Sequence, residues 1–186
     1  MPSTTSTISI ENVVASASID QKVDLKEITK KFTHVEYHPE QFPGLVFRIE
    51  SPKTATLIFS SGKMVCTGAK SEELSKKAVK TVVLKLRKGG IKIKKNAVVI
   101  IQNIVASANL RGKVHLEEAA RQLNHSMYEP EQFPGLIYRM SEPKTVILLF
   151  ASGKLVCTGA KMEKQVGQAV NNLHKLLEKK ELMIYE

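Results

Sequence analysis

Side chains that could perform acid–base, nucleophilic or phosphate-transfer chemistry are few in this sequence and do not converge. Of the five histidines, only His34 and His125 recur at matching positions, 91 residues apart. Gly62-Lys63 and Gly153-Lys154 are predicted as hairpin turns, because no earlier glycine precedes them at the spacing of a phosphate-binding loop. Catalysis needs converging acid, base, nucleophile or metal-binding groups. We therefore expect no enzymatic activity, no cofactor and no metal site.

The two cysteines, Cys66 and Cys157, both lie in apolar Val-Cys-Thr strand patterns. A disulfide framework needs more cysteines, and a metal site needs more ligands at closer spacing. Both thiols are expected in the core. No apolar run approaches the roughly 18 residues of a membrane span, and the polar start of the chain is unlike a signal peptide. The sequence thus predicts a soluble, intracellular protein.

The most informative feature is a repeat of about ninety residues. The string Pro-Glu-Gln-Phe-Pro-Gly-Leu at residues 39–45 returns unchanged at 130–136. Residues 59–70 likewise return as 150–161 with few changes. Two copies are too few for a solenoid, so we predict a polar lead-in over 1–7 followed by domains 8–94 and 95–186. Such a pseudo-two-fold body should bind a roughly two-fold symmetric partner.

The charge balance points to the chemistry of that partner. The chain has 28 basic and 18 acidic residues, a formal net charge of +10 at pH 7. A strongly basic protein favours polyanions, which include nucleic acids and membrane surfaces.

The elements that position these residues follow from periodicity and turn signals. In the first repeat we predict a strand (7–17), a helix (22–32), a turn (38–44), three strands (45–50, 54–60, 63–68) and a long helix that Ser71 caps and Gly89-Gly90 ends. Short hairpin connections make the strands antiparallel. The fold class is α+β, with helices on one face of the sheet.

The opposite face of this sheet is unusually apolar. Strand parity turns Ile58 and Cys66 toward the helices, and Leu57, Phe59 and Val65 away from them. An antiparallel sheet with one face in water normally alternates apolar and polar residues. Either this face is a binding surface, or the two halves pack sheet on sheet and bury it; the residues alone leave both possibilities open.

The repeated strings Gln/Glu-Asn-Ile/Val-Val-Ala-Ser, Pro-Glu-Gln-Phe-Pro-Gly and Phe-x-Ser-Gly-Lys-x-Val-x-Thr-Gly-Ala-Lys closely resemble those of the TATA-box-binding proteins. The resemblance extends from Thr7 to the last helix in both repeats and is closer to the archaeal branch. It implies a saddle of ten antiparallel strands, with helices on the convex side and the concave face open for the DNA minor groove.

The resemblance also implies a role for each matching residue. Four phenylalanines would wedge into base steps: Phe42, Phe59, Phe133 and Phe150. Two asparagines with neighbouring threonines would contact base acceptors: Asn12, Asn103, Thr67 and Thr158. Six residues would form an apolar floor: Val14, Leu57, Val65, Val105, Leu148 and Val156. A basic rim would lie near phosphates: Arg48, Lys63, Arg139 and Lys154, with Lys53 and Lys144 as further candidates.

The partners that the resemblance implies are double-stranded promoter DNA, transcription factor B and, indirectly, RNA polymerase, with no membrane. The turn containing Glu129 and Glu131 matches the loop that engages transcription factor B. The protein would be a monomer on DNA and a possible dimer off it. Its location would be cytoplasmic and nucleoid-associated in an archaeon, or nuclear in a eukaryote.

One residue departs from the family pattern. The first repeat has Glu11 where the second keeps Gln102. Strand parity predicts that Glu11 points away from DNA. Two other functions remain to be weighed, an accessory substrate-binding domain of a nucleic-acid enzyme and a carrier of an apolar ligand. Both predict no DNA kinking and little preference for A·T pairs.

Overall fold

The computed structural model describes residues 7–186, so the predicted lead-in lies almost wholly outside the described residues. The chain divides into two compact units. The central unit is Asn12–Gln102, and the terminal unit is the chain up to Glu11 together with Asn103–Glu186. The limits of the sequence repeats, 8–94 and 95–186, remain a prediction, because the division into units falls inside two strands.

The first repeat folds as an antiparallel sheet with two helices. Its elements are β1 (Thr7–Ser18), α1 (Leu25–Lys31), β2 (Leu45–Glu50), β3 (Lys53–Ile58), β4 (Lys63–Ala69) and α2 (Glu72–Lys88). The strands are ordered β2-β3-β4-β1. The tight connections that were predicted after β2 and β3 are present, which makes these strands antiparallel neighbours.

The second repeat has the same plan with three additions. Its elements are β5 (Val98–Asn109), β6 (Lys113–Val114), α3 (Leu116–Gln122), β7 (Ser126–Tyr128), β8 (Leu136–Ser141), β9 (Lys144–Leu149), β10 (Lys154–Ala160), α4 (Glu163–Lys179) and β11 (Met183–Ile184). The main strands are ordered β5-β10-β9-β8-β7, while β6 and β11 pair separately. The α+β class is confirmed.

The main antiparallel strands number nine over residues 7–186, not the ten that the resemblance implied. The counterpart of β7 in the central unit is a single bridge between Glu36 and Val46. In β7 the hydroxyl of Ser126 donates to the carbonyls of Ala120 and Leu123 and anchors the segment. The matching residue of the first repeat, Val35, has no hydroxyl, and pairing there does not extend beyond the bridge.

Capping residues set the helix ends. The Ser71 hydroxyl accepts a hydrogen bond from the Leu74 amide at 3.0 Å, and α2 ends before Gly89, as predicted. Helix α1 is shorter than the predicted 22–32 because Asp24 caps it, accepting from the amides of Lys26 and Glu27. No helix in the described range is long and apolar enough to cross a membrane.

The core of each unit lies between its sheet and its helices. In the central unit Ile58 and Cys66 are fully buried with Val82 and Leu86 of α2. In the terminal unit Leu149 and Cys157 occupy the matching buried positions. Burial of these apolar side chains is the main stabilising term of each unit. It also fixes which side chains face away from the helices.

Candidate nucleic-acid interface

The open face of the central unit is its sheet surface away from the helices. Val46, Leu57, Val65 and Ser16 are cross-strand partners in a row over four strands. All four are partly exposed, whereas their strand neighbours Ile58 and Cys66 are buried. The alternation confirms the predicted orientation of Leu57 and Val65. Sequence analysis missed Val46 and Ser16.

The terminal unit has a matching open face. Here Ile137, Leu148, Val156 and Ser107 are cross-strand partners, and each is partly exposed. The predicted floor residues Val14 and Val105, on the first strand of each repeat, are partly exposed as well. Each unit therefore presents a narrow apolar row that a flat, largely apolar ligand surface could cover.

Two phenylalanines stand together at the edge of each open face. Phe42 and Phe59 pack edge to face, with ring centroids 5.9 Å apart and planes at 69°. Phe133 and Phe150 repeat this arrangement at 5.8 Å and 68°. The turn residues Phe42 and Phe133 are 42% and 36% exposed, unusually high for this residue type. The structure thus brings together both predicted wedge pairs.

The turn before each pair is tightly hydrogen-bonded. The His38 carbonyl accepts from the amides of Gln41 and Phe42, both at 3.0 Å, and holds the Phe42 backbone in place. The glycine of the Pro-Gly pair that follows this turn is required by the packing of the two rings. A methyl group on Gly44 would lie 2.7 Å from Cε1 of Phe42 and 3.0 Å from Cε1 of Phe59, so only glycine lets the rings meet over this backbone.

Asn12 is held in one orientation by the neighbouring strand. Its Oδ1 accepts from the Gly68 amide at 2.6 Å, and its Nδ2 donates to Thr67 Oγ1 at 2.9 Å. The main-chain donor fixes the oxygen on the protein side. An asparagine amide has two N–H groups, so a second N–H remains to donate to a ligand. The site can offer a hydrogen-bond donor within an apolar surface.

Asn103 repeats this geometry in the terminal unit. Its Oδ1 accepts from the Gly159 amide at 2.7 Å, and its Nδ2 donates to Thr158 Oγ1 at 3.1 Å. Gly68 and Gly159 both have positive φ, near 100°, which favours glycine. The predicted pairing of each asparagine with its threonine is confirmed, and the glycines that complete the two clusters were missed.

The predicted basic rim is exposed in both units. Lys63 and Lys154 are exposed and begin β4 and β10, directly after the hairpin turns that follow Phe59 and Phe150. Arg48 forms an ion pair with Glu36 at 2.8 Å, in which both side chains are 55% exposed. Such an exposed pair adds little stability, so Arg48 can exchange it for another anion. Arg139, the repeat mate of Arg48, is exposed on β8, as are Lys53 and Lys144 at the starts of β3 and β9.

The prediction that Glu11 points away from the binding face is wrong. Its Oε1 accepts a hydrogen bond from Ser107 Oγ at 2.7 Å, and Ser107 belongs to the open face of the terminal unit. Gln102, the repeat mate of Glu11, donates to Ser16 of the central unit at 2.8 Å. Simple alternation from Asn12 fails because Thr7 and Ser9, which alternate with Glu11 along β1, line the groove of the terminal unit with Ser107. The alternation that holds from Asn12 onward is therefore interrupted between Glu11 and Asn12.

A groove runs beside each phenylalanine pair. The groove of the central unit, about 640 Å³, is lined by Ser16, Ser18, Phe59, Lys63, Val65, Val98 and Ile100, among others. The groove of the terminal unit, about 730 Å³, is lined by Thr7, Ser9, Ser107, Asn109, Phe150, Lys154 and Val156, among others. Sequence analysis missed the contributions of residues 7, 9, 98 and 100.

The buried thiols are poor candidates for chemistry. Burial raises the pKa of Cys157 to about 11 and also raises the pKa of Cys66, which keeps both protonated at neutral pH. Both cysteines are free and buried, as predicted. Within residues 7–186, no three His, Cys, Asp or Glu side chains gather closely enough to hold a metal ion.

Comparison with known proteins agrees with this geometry. The family model described as "Transcription factor TFIID (or TATA-binding protein, TBP)" matches residues 7–89 and again 98–180. The chain belongs to the TATA-box-binding protein family. Its two matches to the family model coincide with the two copies of the repeat, so the resemblance noted from the motifs is confirmed over nearly the whole chain.

Individual members of the TATA-box-binding protein family are also similar to this chain. The TATA-box-binding protein of Pyrodictium occultum is 58% identical over 93% of this chain and 87% of its own length. That of Sulfolobus acidocaldarius is 54% identical over 89% and 84%. A solved structure of Methanococcus jannaschii TBP superimposes with a TM-score of 0.84 at 45% identity, covering 92% of this chain and 98% of that one.

Proposed function

We propose that this protein is a general transcription initiation factor, not an enzyme, that binds the TATA element of promoters through the DNA minor groove. Each open face contacts one half of the element, and the phenylalanine pairs wedge between base steps and kink the duplex. The observation that carries the proposal is the repeated surface itself, an apolar row with one fixed asparagine donor and two exposed phenylalanines in each unit.

The asparagine geometry supports the minor groove as the target. There A·T and T·A pairs present only the acceptors adenine N3 and thymine O2, while a G·C pair adds the guanine amino group. In the proposed complex, the second N–H of Asn12 and of Asn103, beyond the one given to threonine, donates to these acceptors. A donor in an apolar surface suits A·T pairs. It disfavours guanine, whose amino group would be buried without an acceptor at a cost of about 1–3 kcal/mol.

The exposed phenylalanines support DNA deformation. Opening a base step is costly, and smooth bending of a duplex alone costs of the order of 1–6 kcal/mol. Apolar side chains inserted between base pairs recover part of that cost and widen the contact with the protein. Paired rings beside an apolar floor are suited to this role, and Arg48, Lys63, Arg139 and Lys154 are suited to contact the phosphates at the edge.

Base analogues test this function. Inosine lacks the guanine amino group, so an I·C pair resembles A·T in the minor groove and G·C in the major groove. An element in which I·C replaces every A·T pair should bind about as tightly as the TATA element, and the same element with G·C should bind far more weakly. Equal loss of affinity with I·C and G·C would show major-groove recognition and refute the proposal.

The proposed protein partner is transcription factor B, which would bring RNA polymerase to the promoter. Its contact is the turn with Glu129 and Glu131, both exposed. The Glu129 carbonyl accepts from the amides of Gln132 and Phe133, and this repeats the two hydrogen bonds that the His38 carbonyl accepts in the turn of the first repeat. The matching turn of the first repeat has His38 and Glu40 instead, so the acidic pair marks one unit.

Charge reversal tests the partner contact. Glu129→Lys with Glu131→Lys should leave DNA affinity nearly unchanged but prevent assembly of the ternary complex with transcription factor B in a gel-shift titration. The control is Glu40→Lys in the turn of the first repeat, which should leave the ternary complex intact. Normal recruitment by the double variant would show that factor B contacts another surface.

A further inference from the structure

The two open faces are not chemically equivalent. Three matching positions differ along the first strand of each repeat. The terminal unit has Thr7, Ser9 and Glu11, whereas the central unit has Val98, Ile100 and Gln102. Val98 and Ile100 are 65% and 58% exposed and line the groove beside Phe59. Thr7 and Ser9 line the groove beside Phe150. The groove beside Phe59 therefore has two apolar side chains at the positions where the groove beside Phe150 has two hydroxyl groups.

Glu11 makes the sharpest difference because it places a carboxylate on the open face of the terminal unit. The Ser107 hydroxyl donates to its Oε1 at 2.7 Å, which holds the carboxylate beside the apolar row that Val156 and Leu148 continue. At the matching place Gln102 is a donor to Ser16. An ionised carboxylate has several lone pairs and only accepts hydrogen bonds, so it can also accept from a donor on a ligand that covers this face.

In the minor groove the only base-pair donor is the guanine amino group. We propose that Glu11 is a specificity-determining residue that makes the terminal unit accept a G·C pair in its half of the element more readily than the central unit does. This inference rests on the proposed function and extends it. Its consequence is that an element with one G·C-containing half fixes the orientation of the nearly symmetric protein on the DNA.

The physical reason is the difference in hydrogen bonding of one amino group. Over the terminal unit, the guanine N2–H can donate to the Glu11 carboxylate, a charge-assisted hydrogen bond. Over the central unit, the same amino group would meet Val98, Ile100 and only the neutral amide oxygen of Gln102, a weaker acceptor than a carboxylate. The placement of the G·C pair under the terminal unit should be favoured roughly tenfold.

Energy transfer measures the orientation directly. A dye is attached to Glu73→Cys on α2 of the central unit, or in a second protein to its repeat mate Lys164→Cys on α4. Both positions are exposed, and the buried thiols of Cys66 and Cys157 should not compete. The acceptor dye is placed on one end of the duplex. Three duplexes are compared: a palindromic all-A·T element, the same element with one G·C pair in one half, and the same with I·C in place of G·C.

The wild-type protein should bind the all-A·T and I·C duplexes in both orientations about equally, and the G·C duplex with the terminal unit over the G·C half in roughly ten of eleven complexes. Glu11→Gln, which places the residue of the second repeat in the first, should remove the preference. Gln102→Glu should also remove it, because both units then have a carboxylate.

Two results would overturn the inference. One is an orientation preference that persists in Glu11→Gln. The other is an equal preference on the I·C duplex, which would show that electrostatic repulsion of phosphates, not the guanine amino group, is responsible. The all-A·T duplex separates this inference from the proposed function. Failure to bind that duplex refutes the function itself, whereas tight binding with random orientation on all three duplexes refutes only the role of Glu11.

Discussion

The ring of Phe42 stands edge-on to the ring of Phe59, with centroids 5.9 Å apart, although Phe42 lies in the turn before β2 and Phe59 directly follows β3. Gly44 makes this contact possible, because a methyl group there would lie 2.7 Å from the Phe42 ring. Phe133 and Phe150 pair in the same way in the other unit, so both units hold their two phenylalanines in one geometry.

Gly44→Ala should therefore displace the Phe42–Phe59 pair and weaken binding to the TATA element by about 1 kcal/mol, with the fold retained. The measurement is DNA affinity by fluorescence anisotropy, with circular dichroism as the check on folding. The control is Gly167→Ala in α4, where nothing lies within 4 Å of the added methyl group. That variant should bind DNA normally and gain roughly 0.5–1 kcal/mol of stability.

Removal of a wedge should reduce both affinity and bending. Phe59→Ala and Phe150→Ala should each weaken TATA binding by about 1 kcal/mol or more, since less apolar surface enters the base step. Leu84→Ala, an exposed apolar residue on α2, is the control and should change neither quantity. Unchanged bending in both phenylalanine variants would refute the wedge role.

The donor role of Asn12 can be separated from its structural role. Asn12→Asp keeps an oxygen to accept from the Gly68 amide but removes the N–H donor and adds a negative charge near the bases. We expect a loss of DNA affinity of roughly 2 kcal/mol or more, with little change in thermal stability. Asn171→Asp, on the exposed face of α4, is the matched control. Wild-type affinity in Asn12→Asp would show that this amide does not contact the bases.

The basic rim should make binding depend on salt. If about six phosphates are neutralised, the plot of log K against log salt concentration should have a slope near −5. Lys63→Gln or Lys154→Gln should each make the slope shallower by roughly 0.9, whereas Lys179→Gln on α4 should not change it. A wild-type slope near zero would mean that the rim lies outside the interface.

The buried thiol of Cys157 predicts a pH dependence of stability. Burial raises its folded-state pKa from the usual 9.0 to about 11. Between these values the unfolded chain loses the proton and the folded chain keeps it, so the free energy of unfolding should fall as pH rises from about 9 to 11. The fall should be about 2 kcal/mol relative to Cys157→Ala, measured by urea denaturation at several pH values. Parallel curves for the two proteins would contradict this assignment.

Much of the fold could be predicted from local rules. The alternation of apolar residues at Leu57, Ile58, Val65 and Cys66 gave the two faces of the sheet, because a strand places successive side chains on opposite sides. Ser71 and the Gly89-Gly90 pair gave the limits of α2. The strand pair β6–β11 was missed, since two-residue strands far apart in the sequence carry no periodic pattern.

Sequence analysis could identify those site residues whose type is unusual at their position. It could not identify residues that reach the site only through contacts between strands distant in sequence. A mid-strand Asn12 is unusual enough to be noticed, whereas the roles of Phe42 and Phe133 were suggested only by the family resemblance. The position of Glu11 was predicted wrongly, because a local interruption of strand alternation between Glu11 and Asn12 cannot be inferred from the alternation itself. The groove residues Val98 and Ile100 were missed because they follow a charged segment and match polar residues in the other repeat.

DNA bending measured together with affinity tests the central claim most directly. A duplex with dyes at its two ends and a TATA element between them, and a second duplex with G·C pairs at that element, are titrated with the protein. We predict tight binding and a large shortening of the end-to-end distance on the TATA duplex alone. Equal binding to both duplexes without shortening would contradict recognition through a kinked minor groove.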